Sequence, residues 1–308
     1  MQTRRLGRTD LEIEPLVFGC NVLGWTLDEA AAFRVLDAYA GHGFTALDTS
    51  DSYGKGKSET ILGNWMKARG NRNQLLVFTK VGSDMGQGRR DLSAKWIEEE
   101  VEASLRRLQI DHIDLYQSHW PDPETPQEET LGAFDRLVKA GKVRWLGSSN
   151  QDTALLAEAH EISRRNGWAR YETIQNEFNL YDREGFGSVQ AYCVANGVSG
   201  IGYYSLARGF LAGKYRSEAD AGKSLRGSNA IRHYLNDKGR RILAALDSVA
   251  ARTGTAPAEI ALGWIAAQPG VGAAIASATS PEQVESLARG ARLKLSEEDL
   301  AALTAAGL

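Results

Sequence analysis

The chain has 308 residues, of which 43% are hydrophobic and 24% are charged, and its formal net charge is −3. This is the ordinary composition of a folded globular protein that can bury a sizeable core. The small net charge provides no basic field of the kind that binds nucleic acid or an anionic membrane. Neither is therefore expected as a partner.

The N-terminal segment and the cysteines bear on location. The first ten residues are polar and include Arg4, Arg5 and Arg8 with no apolar stretch after them, which argues against a secretory signal. No run of residues approaches the roughly 18 consecutive apolar positions of a transmembrane helix. Cys20 and Cys193 are interpreted as reduced, buried thiols, although their spacing alone does not exclude a disulfide. A cytoplasmic protein is expected.

Taken in chain order, the predicted elements alternate between strand and helix. The opening segment RRLGRTDLEI predicts a small hairpin, with its turn at Gly-Arg-Thr-Asp. Eight short β-favouring runs follow, at residues 16–19, 44–48, 75–80, 113–119, 143–148, 171–176, 198–203 and 272–276. Helix-period segments lie between most of them, at residues 58–69, 93–107, 128–140, 153–165 and 187–196. Ser93 is typical of a helix start.

This alternation predicts parallel strands, in either an open doubly wound sheet or a closed barrel. Eight strands at a spacing of roughly 25 to 35 residues favour the barrel. A Rossmann sheet would place GxGxxG after its first strand, whereas the first strand here is followed by GCNVLGW. We therefore predict an α/β fold, a (β/α)8 TIM barrel, as a single domain over residues 1–308. The N-terminal hairpin is expected to plug the barrel floor.

The longest interruption falls between the seventh and eighth predicted strands. Residues 208–228 are rich in Gly, Ser and charge, and they predict a mobile loop over the barrel mouth. Residues 231–252 and 257–268 predict two helices, which we interpret as a helical insertion and a crossover.

Polar residues stand at the carboxyl ends of the predicted strands, where an α/β barrel carries its chemistry. These residues are Asp48, Lys80, His119, Ser149, Asn150, Gln175, Asn176 and Tyr203. Tyr53 lies five residues beyond Asp48, near enough to fold back over the same mouth. Each alone has a structural explanation, such as an N-cap, a surface lysine or a core histidine. Together they favour a site, because Lys80 directly ends an apolar run and needs a partner such as Asp48.

A cluster of Asp48, Lys80, Tyr53 and His119 suits carbonyl reduction. Addition of hydride to a carbonyl leaves negative charge on oxygen, so a proton donor has to stand beside it. A free tyrosine has a pKa near 10, and a neighbouring lysine ammonium is expected to lower it. Asp48 would keep the lysine protonated, and His119 would orient the carbonyl. The hydride has to come from elsewhere, because no side chain can supply it.

Several motifs, in order along nearly the whole chain, resemble those of the aldo-keto reductase superfamily: FTALDTSDSYG with SETILG, FTK, DLYQSHWPD, GKVRWLGSSN, QNEFNLYDR and YYSLARGFLAGKY. The resemblance implies an NAD(P)-dependent oxidoreductase that transfers a hydride between nicotinamide and a carbonyl or alcohol, such as an aldehyde, ketone or sugar. It implies that Tyr53 is the general acid/base, that Lys80 and Asp48 tune it, and that His119 orients the substrate.

The resemblance also implies a cofactor site. Ser149, Asn150 and Gln175 would hold the nicotinamide carboxamide, and Tyr203 would stack on the ring. The pyrophosphate would be lined by Ser205, Leu206, Gly209 and Lys214, and a mobile loop would close over it.

The last strand departs from the family pattern. The stretch AIASATSPEQVESL keeps Gln283 but has Ala276 and Ser277 in place of Pro-Gly, Thr279 in place of an arginine that clamps the 2′-phosphate, and Leu287 in place of an asparagine. Ser277, Thr279 and Ser280 would either donate hydroxyl hydrogen bonds to that phosphate or only cap the last helix. Family habit favours NADP(H), and NAD(H) stays open. Tyr204 and Ser205 replace the commoner Ser-Pro.

Two other classes of function stay open. Members of this superfamily also serve as cofactor-binding regulatory subunits of potassium channels, and such a protein would keep the same four residues. An unrelated barrel enzyme is the other alternative, either a Schiff-base aldolase that uses Lys80 or a metal hydrolase that uses Asp48 and His119. The metal case is weak, because His-x-His and further carboxylates at strand ends are missing.

Substrate identity is not specified by these patterns. The candidates for the pocket rim are Trp25, Trp120, Tyr181, Arg208 and Tyr234, which lie in or near the predicted mouth loops. A sugar or polyol, a small aldehyde and a ketosteroid-like ligand all stay open, and so does the formation of a homo-oligomer.

Overall fold

The structure is a computed structural model that describes residues 3–308. Eight parallel strands form the centre of the fold: β3 (Leu16–Gly19), β4 (Ala46–Asp48), β5 (Leu76–Val81), β6 (Ile113–Ser118), β7 (Val143–Ser149), β8 (Tyr171–Glu177), β9 (Ser199–Tyr203) and β10 (Val271–Ala276). They close into a barrel in the order β10-β3-β4-β5-β6-β7-β8-β9. The predicted (β/α)8 TIM barrel is confirmed, and each predicted run overlaps one of these strands.

Helices surround the barrel. They are α1 (Glu29–Gly41), α2 (Lys57–Arg69), α3 (Ala94–Leu108), α4 (Gln127–Lys139), α5 (Thr153–Asn166), α6 (Glu184–Asn196), α7 (Gly227–Tyr234), α8 (Asp237–Thr253), α9 (Pro257–Ala266), α10 (Pro281–Arg292) and α11 (Glu297–Ala306). As predicted, Ser93 caps α3, because its hydroxyl accepts a hydrogen bond from the backbone N–H of Trp96. Within residues 3–308, no helix combines the length and the apolar character needed to cross a membrane.

The N-terminal hairpin closes the bottom of the barrel, as predicted. Strands β1 (Arg4–Arg5) and β2 (Glu12–Ile13) pair antiparallel. Leu6, Leu11 and Ile13 of this segment are buried in one apolar cluster with side chains from the barrel strands. The amino ends of the strands are therefore sealed by apolar packing, which leaves the carboxyl ends as the open mouth.

The barrel interior is layered. Apolar side chains from alternate positions fill the lower part, among them Ala46, Phe78 and Leu115. Two residues further along the same strands stand Asp48, Lys80 and Gln117, and hydrogen bonds join Asp48 to the other two. Because successive side chains in a strand point to opposite faces, a spacing of two keeps each pair inside the barrel. The polar layer therefore lies directly above the apolar core, at the mouth.

The segment between β9 and β10 corrects two predictions. The predicted helix over residues 231–252 is two helices, because Asn236 accepts a hydrogen bond from Gly239 N–H and caps α8 after α7 has ended. The predicted loop over residues 208–228 contains short 3₁₀ helices at Ala207–Ala212 and Glu218–Lys223 and the start of α7. Its predicted mobility stays a prediction.

Candidate active site

The Lys80 ammonium group connects the polar residues at the end of β4 and in the turn after it. Its Nζ atom donates to Asp48 Oδ2 at 2.6 Å, to the Thr49 carbonyl at 2.8 Å and to Tyr53 Oη at 3.3 Å. Lys80 is fully buried and Asp48 is 1% exposed, so the pair is shielded from water. All three ammonium hydrogens therefore have acceptors, as a buried charge requires.

The electrostatics of this group favour a protonated lysine and a protonated tyrosine. Burial lowers the pKa of Lys80, but the charge of Asp48 and the contact with Tyr53 outweigh burial and raise the pKa. Burial raises the pKa of Tyr53, and the Lys80 charge opposes this without reversing it. The expected lowering by lysine is thus present, but the expected net direction is wrong, because desolvation of the phenol is the larger effect.

Two glutamines hold the other oxygen of Asp48. Gln175 Nε2 donates to Asp48 Oδ1 at 3.0 Å, and Gln117 Nε2 donates to the same atom at 3.2 Å. Asp48 therefore accepts from three side chains and has little freedom to rotate. This arrangement fixes Lys80, and through Lys80 it fixes the position of the Tyr53 hydroxyl.

His119 follows β6 and stands across the mouth from Tyr53, with ring centroids 5.9 Å apart and the rings edge to face. Its Nδ1 atom lies 2.9 Å from Ser83 Oγ and 3.1 Å from Ser50 Oγ. Burial and the positive charges of Lys80 and Arg90 hold the pKa of His119 well below 6.5. The ring is therefore neutral near pH 7.

A cavity of about 890 Å³ opens at this mouth. Asp48, Tyr53 and His119 line it, and Lys80 lies behind them. Of the residues that the sequence suggests for the cofactor, all but Ser280 line this cavity: Ser149, Asn150, Gln175, Tyr203, Ser205, Leu206, Gly209, Lys214, Ser277, Thr279 and Gln283. The structure thus places two groups of predicted residues in the wall of one space.

The residues expected to contact a nicotinamide carboxamide form one hydrogen-bonded set. Tyr203 Oη donates to Asn150 Oδ1 at 2.8 Å, and Asn150 Nδ2 lies 3.0 Å from Ser149 Oγ. Ser149 Oγ donates to the Gln175 carbonyl at 2.6 Å. The predicted strand-end residue Asn176 turns away, since its side chain donates to the backbone carbonyls of residues 151 and 185.

The cavity has a positive section. Arg208, Lys214 and Arg226 line it, and none of the ion pairs formed within residues 3–308 includes them. The Arg208 Nε atom is buried without a hydrogen-bond partner in the described chain. Cations in the cavity wall that form no ion pair fit a large ligand that carries phosphates, such as a dinucleotide.

The far wall, which we call the β10 rim, is formed by Ser277, Thr279, Gln283, Ser286 and Leu287. The Thr279 N–H and hydroxyl both donate to Gln283 Oε1, at 2.9 and 3.2 Å. Ser277 Oγ lies 2.7 Å from both the Gly19 carbonyl and Asn21 Oδ1. These side chains already have partners within the protein, and none of them is charged.

Ser280 caps α10, as the structural alternative for this residue predicted. Its hydroxyl accepts from Gln283 N–H, and the α10 N-terminus follows directly. Helix N-termini favour anions, but Glu282 stands in the first turn and adds negative charge. The rim therefore offers a phosphate only weak support.

The residues predicted for the substrate rim are divided. Trp120 and Arg208 line the cavity. Trp25 is 56% exposed and lies beside the mouth, where the Arg226 guanidinium stands 4.9 Å from its ring centroid. Tyr234 is fully buried and donates to Asp182 Oδ2 at 2.9 Å, and Tyr181 packs against it outside the cavity wall.

Sequence reasoning did not assign Gln117, Ser50, Asp51 or Ser83 to the site. A signal was available for Gln117, because it lies on β6 two residues after the buried Leu115, and alternation along a strand puts both side chains on the inward face. Ser83 lies three residues after Lys80 and beyond the end of β5, so the direction of its side chain depends on the turn that follows the strand. Nothing in the pattern alone places it.

The fold and this site can now be compared with known proteins. A sequence model described as the Aldo/keto reductase family matches residues 15–307. Aldo-keto reductase YhdN of Bacillus subtilis (strain 168) is 35% identical over 310 residues, covering 97% of this chain and 91% of the relative. Protein tas of Escherichia coli (strain K12) is 30% identical over 339 residues, covering 99% and 97%.

A further relative has a cofactor in its name: Aldo-keto reductase yakc [NADP(+)] of Schizosaccharomyces pombe (strain 972 / ATCC 24843) is 30% identical over 279 residues, covering 86% of this chain and 79% of the relative. The barrel, the site and these matches together define an oxidoreductase. The chain belongs to the aldo/keto reductase family.

Proposed function

We propose that this protein is an NAD(P)(H)-dependent oxidoreductase that interconverts a small-molecule carbonyl and the corresponding alcohol, with Tyr53 as the general acid/base. The observation that carries the proposal is the Lys80 ammonium group, which bonds at once to Asp48 Oδ2 and Tyr53 Oη behind the cavity wall. Family membership supports the general reaction class.

The residues present suit a nicotinamide dinucleotide. Ser149, Asn150 and Gln175 would hold the carboxamide, and Tyr203 would stack on the ring. Ser205, Leu206, Gly209 and Lys214 would contact the pyrophosphate. When bound, the cofactor supplies or accepts the hydride.

The protein's own contribution is proton transfer and orientation. Tyr53, protonated near neutral pH, gives its proton to the oxygen that gains charge as the carbonyl is reduced. Lys80 stabilises the resulting tyrosinate, and Asp48 holds Lys80 in place. His119 is neutral, and with the ring proton on Nε2 it would donate the hydrogen bond that orients the carbonyl.

We expect the protein to prefer NADP(H) and to use NAD(H) substantially as well. The yakc relative carries NADP(+) in its name, which supports this preference. The β10 rim has no cation among its lining residues and provides only hydroxyl and amide groups. Each neutral hydrogen bond contributes roughly 0.5 to 1.5 kcal/mol, against about 1.5 to 3 for a charged partner. Discrimination between the two cofactors is therefore expected to be modest.

The aldolase alternative is disfavoured by the same geometry. A Schiff-base lysine has to be neutral and free to attack, whereas Lys80 is buried, has its pKa raised and is bonded on all three hydrogens. A regulatory subunit would keep the same residues, and it would bind the cofactor without turning over a substrate.

The experiment is a screen at 340 nm with NADPH and NADH against aldehydes, ketones and aldoses, and with oxidised cofactors against alcohols. Turnover with any carbonyl supports the proposal. Tight cofactor binding, measured by fluorescence, without turnover on the whole panel would favour the regulatory alternative. Trapping of substrate by borohydride without cofactor would favour the aldolase.

A further inference from the structure

A buried carboxyl group lies directly behind His119. Ser50 Oγ contacts His119 Nδ1 at 3.1 Å and donates to Asp51 Oδ1 at 2.8 Å. Asp51 is fully buried, and its Oδ2 atom has no hydrogen-bond partner within residues 3–308. The chain Asp51, Ser50, His119 thus runs from an isolated carboxyl group to the ring that faces the cavity.

The surroundings of Asp51 leave it without a cation of its own. Glu59 on α2 and Glu100 on α3 face it, and both are bound to Arg107 on α3, which they share. Tyr116 on β6 lies in the same electrostatic neighbourhood, with its hydroxyl buried and unpartnered in the described chain. Burial, followed by repulsion from Glu59 and Glu100, raises the pKa of Asp51 to about 7.

Two serine hydroxyls contact Nδ1 of His119, but only one of them, that of Ser50, is also hydrogen-bonded to a carboxyl group. Ser83 Oγ lies 2.9 Å from Nδ1 and forms no contact with a carboxyl group in the described structure. Ser50 also contacts Ser52, which lines the cavity. Ser52 therefore connects the hydrogen-bonded series Asp51, Ser50 and His119 to solvent. His119 Nε2 forms no hydrogen bond within residues 3–308 and is left for a ligand.

We propose that Asp51 is a positioning residue that acts through Ser50 and determines which nitrogen of the His119 ring carries the proton. The proposal rests on the proposed function only in that His119 faces the reacting oxygen. The ring stays neutral in both states, because burial and the charges of Lys80 and Arg90 hold the pKa of His119 far below the range in which Asp51 titrates.

The protons balance in the two states. When Asp51 is protonated, its O–H donates to Ser50 Oγ, the Ser50 O–H donates to Nδ1, and the ring proton is on Nε2. When Asp51 has lost its proton to solvent, Ser50 donates to Asp51 Oδ1 and accepts from Nδ1–H, so the ring proton has moved from Nε2 to Nδ1.

The two states differ in what His119 presents to a substrate oxygen. With the proton on Nε2, His119 donates a hydrogen bond to that oxygen, and the hydroxyl proton of the alcohol is left to exchange with Tyr53 in either direction of the reaction. With the proton on Nδ1, Nε2 presents a lone pair, and the hydrogen bond that orients the carbonyl is lost. Orientation of the substrate by His119 is therefore expected to weaken as Asp51 loses its proton.

The test is ¹⁵N NMR of the full chain labelled at the histidine ring nitrogens, titrated from about pH 5 to about pH 9. The chain has five histidines, and His119→Gln identifies the signals of His119 by their loss. In the wild type, His119 is expected to change from Nε2–H to Nδ1–H with a midpoint near pH 7, without becoming cationic.

Three variants discriminate. Asp51→Asn and Ser50→Ala are each expected to lose the midpoint, because one removes the acid and the other removes its link to the ring. Ser83→Ala is the matched control, and it is expected to keep the wild-type midpoint. If Asp51→Asn does not fold, Ser50→Ala tests the same connection with the acid retained.

A wild-type ring that keeps one protonation state over the whole range would overturn the proposal, and so would an unchanged midpoint in the folded Asp51→Asn variant. The measurement needs neither cofactor nor substrate. If the protein fails the 340 nm screen but shows the predicted titration, the proposed function is wrong and this inference stands. If it turns over a carbonyl but shows no titration of His119, the proposed function stands and this inference is wrong.

Discussion

At the barrel end of the cavity, Lys80 and Asp48 are buried and every hydrogen of the ammonium group has an acceptor. At the β10 rim, by contrast, Thr279 and Gln283 bond to each other, and none of the rim residues that line the cavity is charged. The first region is costly to change, because each charge there depends on its partner. In the second region the side chains that line the cavity carry no charge, so substitutions there are expected to cost little. The chemistry is therefore expected to be strictly specified, and the choice of cofactor loosely specified.

The largest expected effect breaks the buried pair at the barrel end. Lys80→Met leaves Asp48 buried without a cation, and we expect the free energy of unfolding to fall by about 3 to 5 kcal/mol. The double variant Lys80→Met/Asp48→Asn should recover part of this loss, because the uncompensated charge is gone. Urea denaturation of the four proteins in the cycle measures both effects. Strictly additive losses would contradict the pairing.

The next prediction concerns Asp51, in the same region, and the effect of pH on the stability of the protein. Asp51 has a pKa of about 7 in the folded chain against an ordinary value of 3.8, so between these values the folded chain holds a proton that the unfolded chain has lost. Stability from this group is thus lost as pH rises through that window. Asp51→Asn should therefore stabilise the protein at pH 8, by at most about 4 kcal/mol, and by less at pH 5.

Thermal unfolding of both proteins at the two pH values checks this. Asp37→Asn is the contrasting control, because hydrogen bonds from Arg69 lower the pKa of Asp37 and the sign is reversed. Removing that carboxyl should cost more at high pH than at low pH. A stabilisation by Asp51→Asn that grows as pH falls would refute the account of Asp51.

The smallest expected effect concerns the β10 rim. Thr279→Arg adds a cation beside a neutral wall and should shift the ratio of kcat/KM toward NADPH by about tenfold for each 1.4 kcal/mol gained. In the wild type, the two cofactors should differ by less than about a thousandfold. Steady-state kinetics with each cofactor at fixed ionic strength measures both ratios.

Thr279→Val is the matched control for the rim. It removes only a hydroxyl that already bonds to Gln283, so the ratio should change by less than about tenfold. If the arginine variant shows no gain for NADPH, Thr279 does not face the adenosine ribose.

The barrel itself was predictable because strand and helix patterns alternate regularly through the chain. Helix α1 was predictable but was not predicted, although Ala32, Val35, Leu36 and Tyr39 stand at helical spacing and are buried. The break between α7 and α8 was missed, because a capping asparagine within a periodic segment resembles a polar surface position.

The residues of the site were predictable where strand order determines their position. Asp48, Lys80 and Gln175 meet because parallel strands deliver their carboxyl ends to one mouth. The connection of Asp51 through Ser50 to His119 was not predictable, because it depends on the turn after β4. The net direction of the Tyr53 pKa was missed for a similar reason, since desolvation depends on packing around the whole ring.

Proton transfer is assigned to the Tyr53 hydroxyl, and the variant Tyr53→Phe removes that hydroxyl alone. Fluorescence titration should show cofactor Kd within about threefold of the wild type, while kcat at 340 nm falls by at least about 100-fold. Tyr181→Phe removes a phenol outside the cavity wall and should keep normal turnover. Near-normal kcat in Tyr53→Phe, with cofactor bound, would contradict the claim.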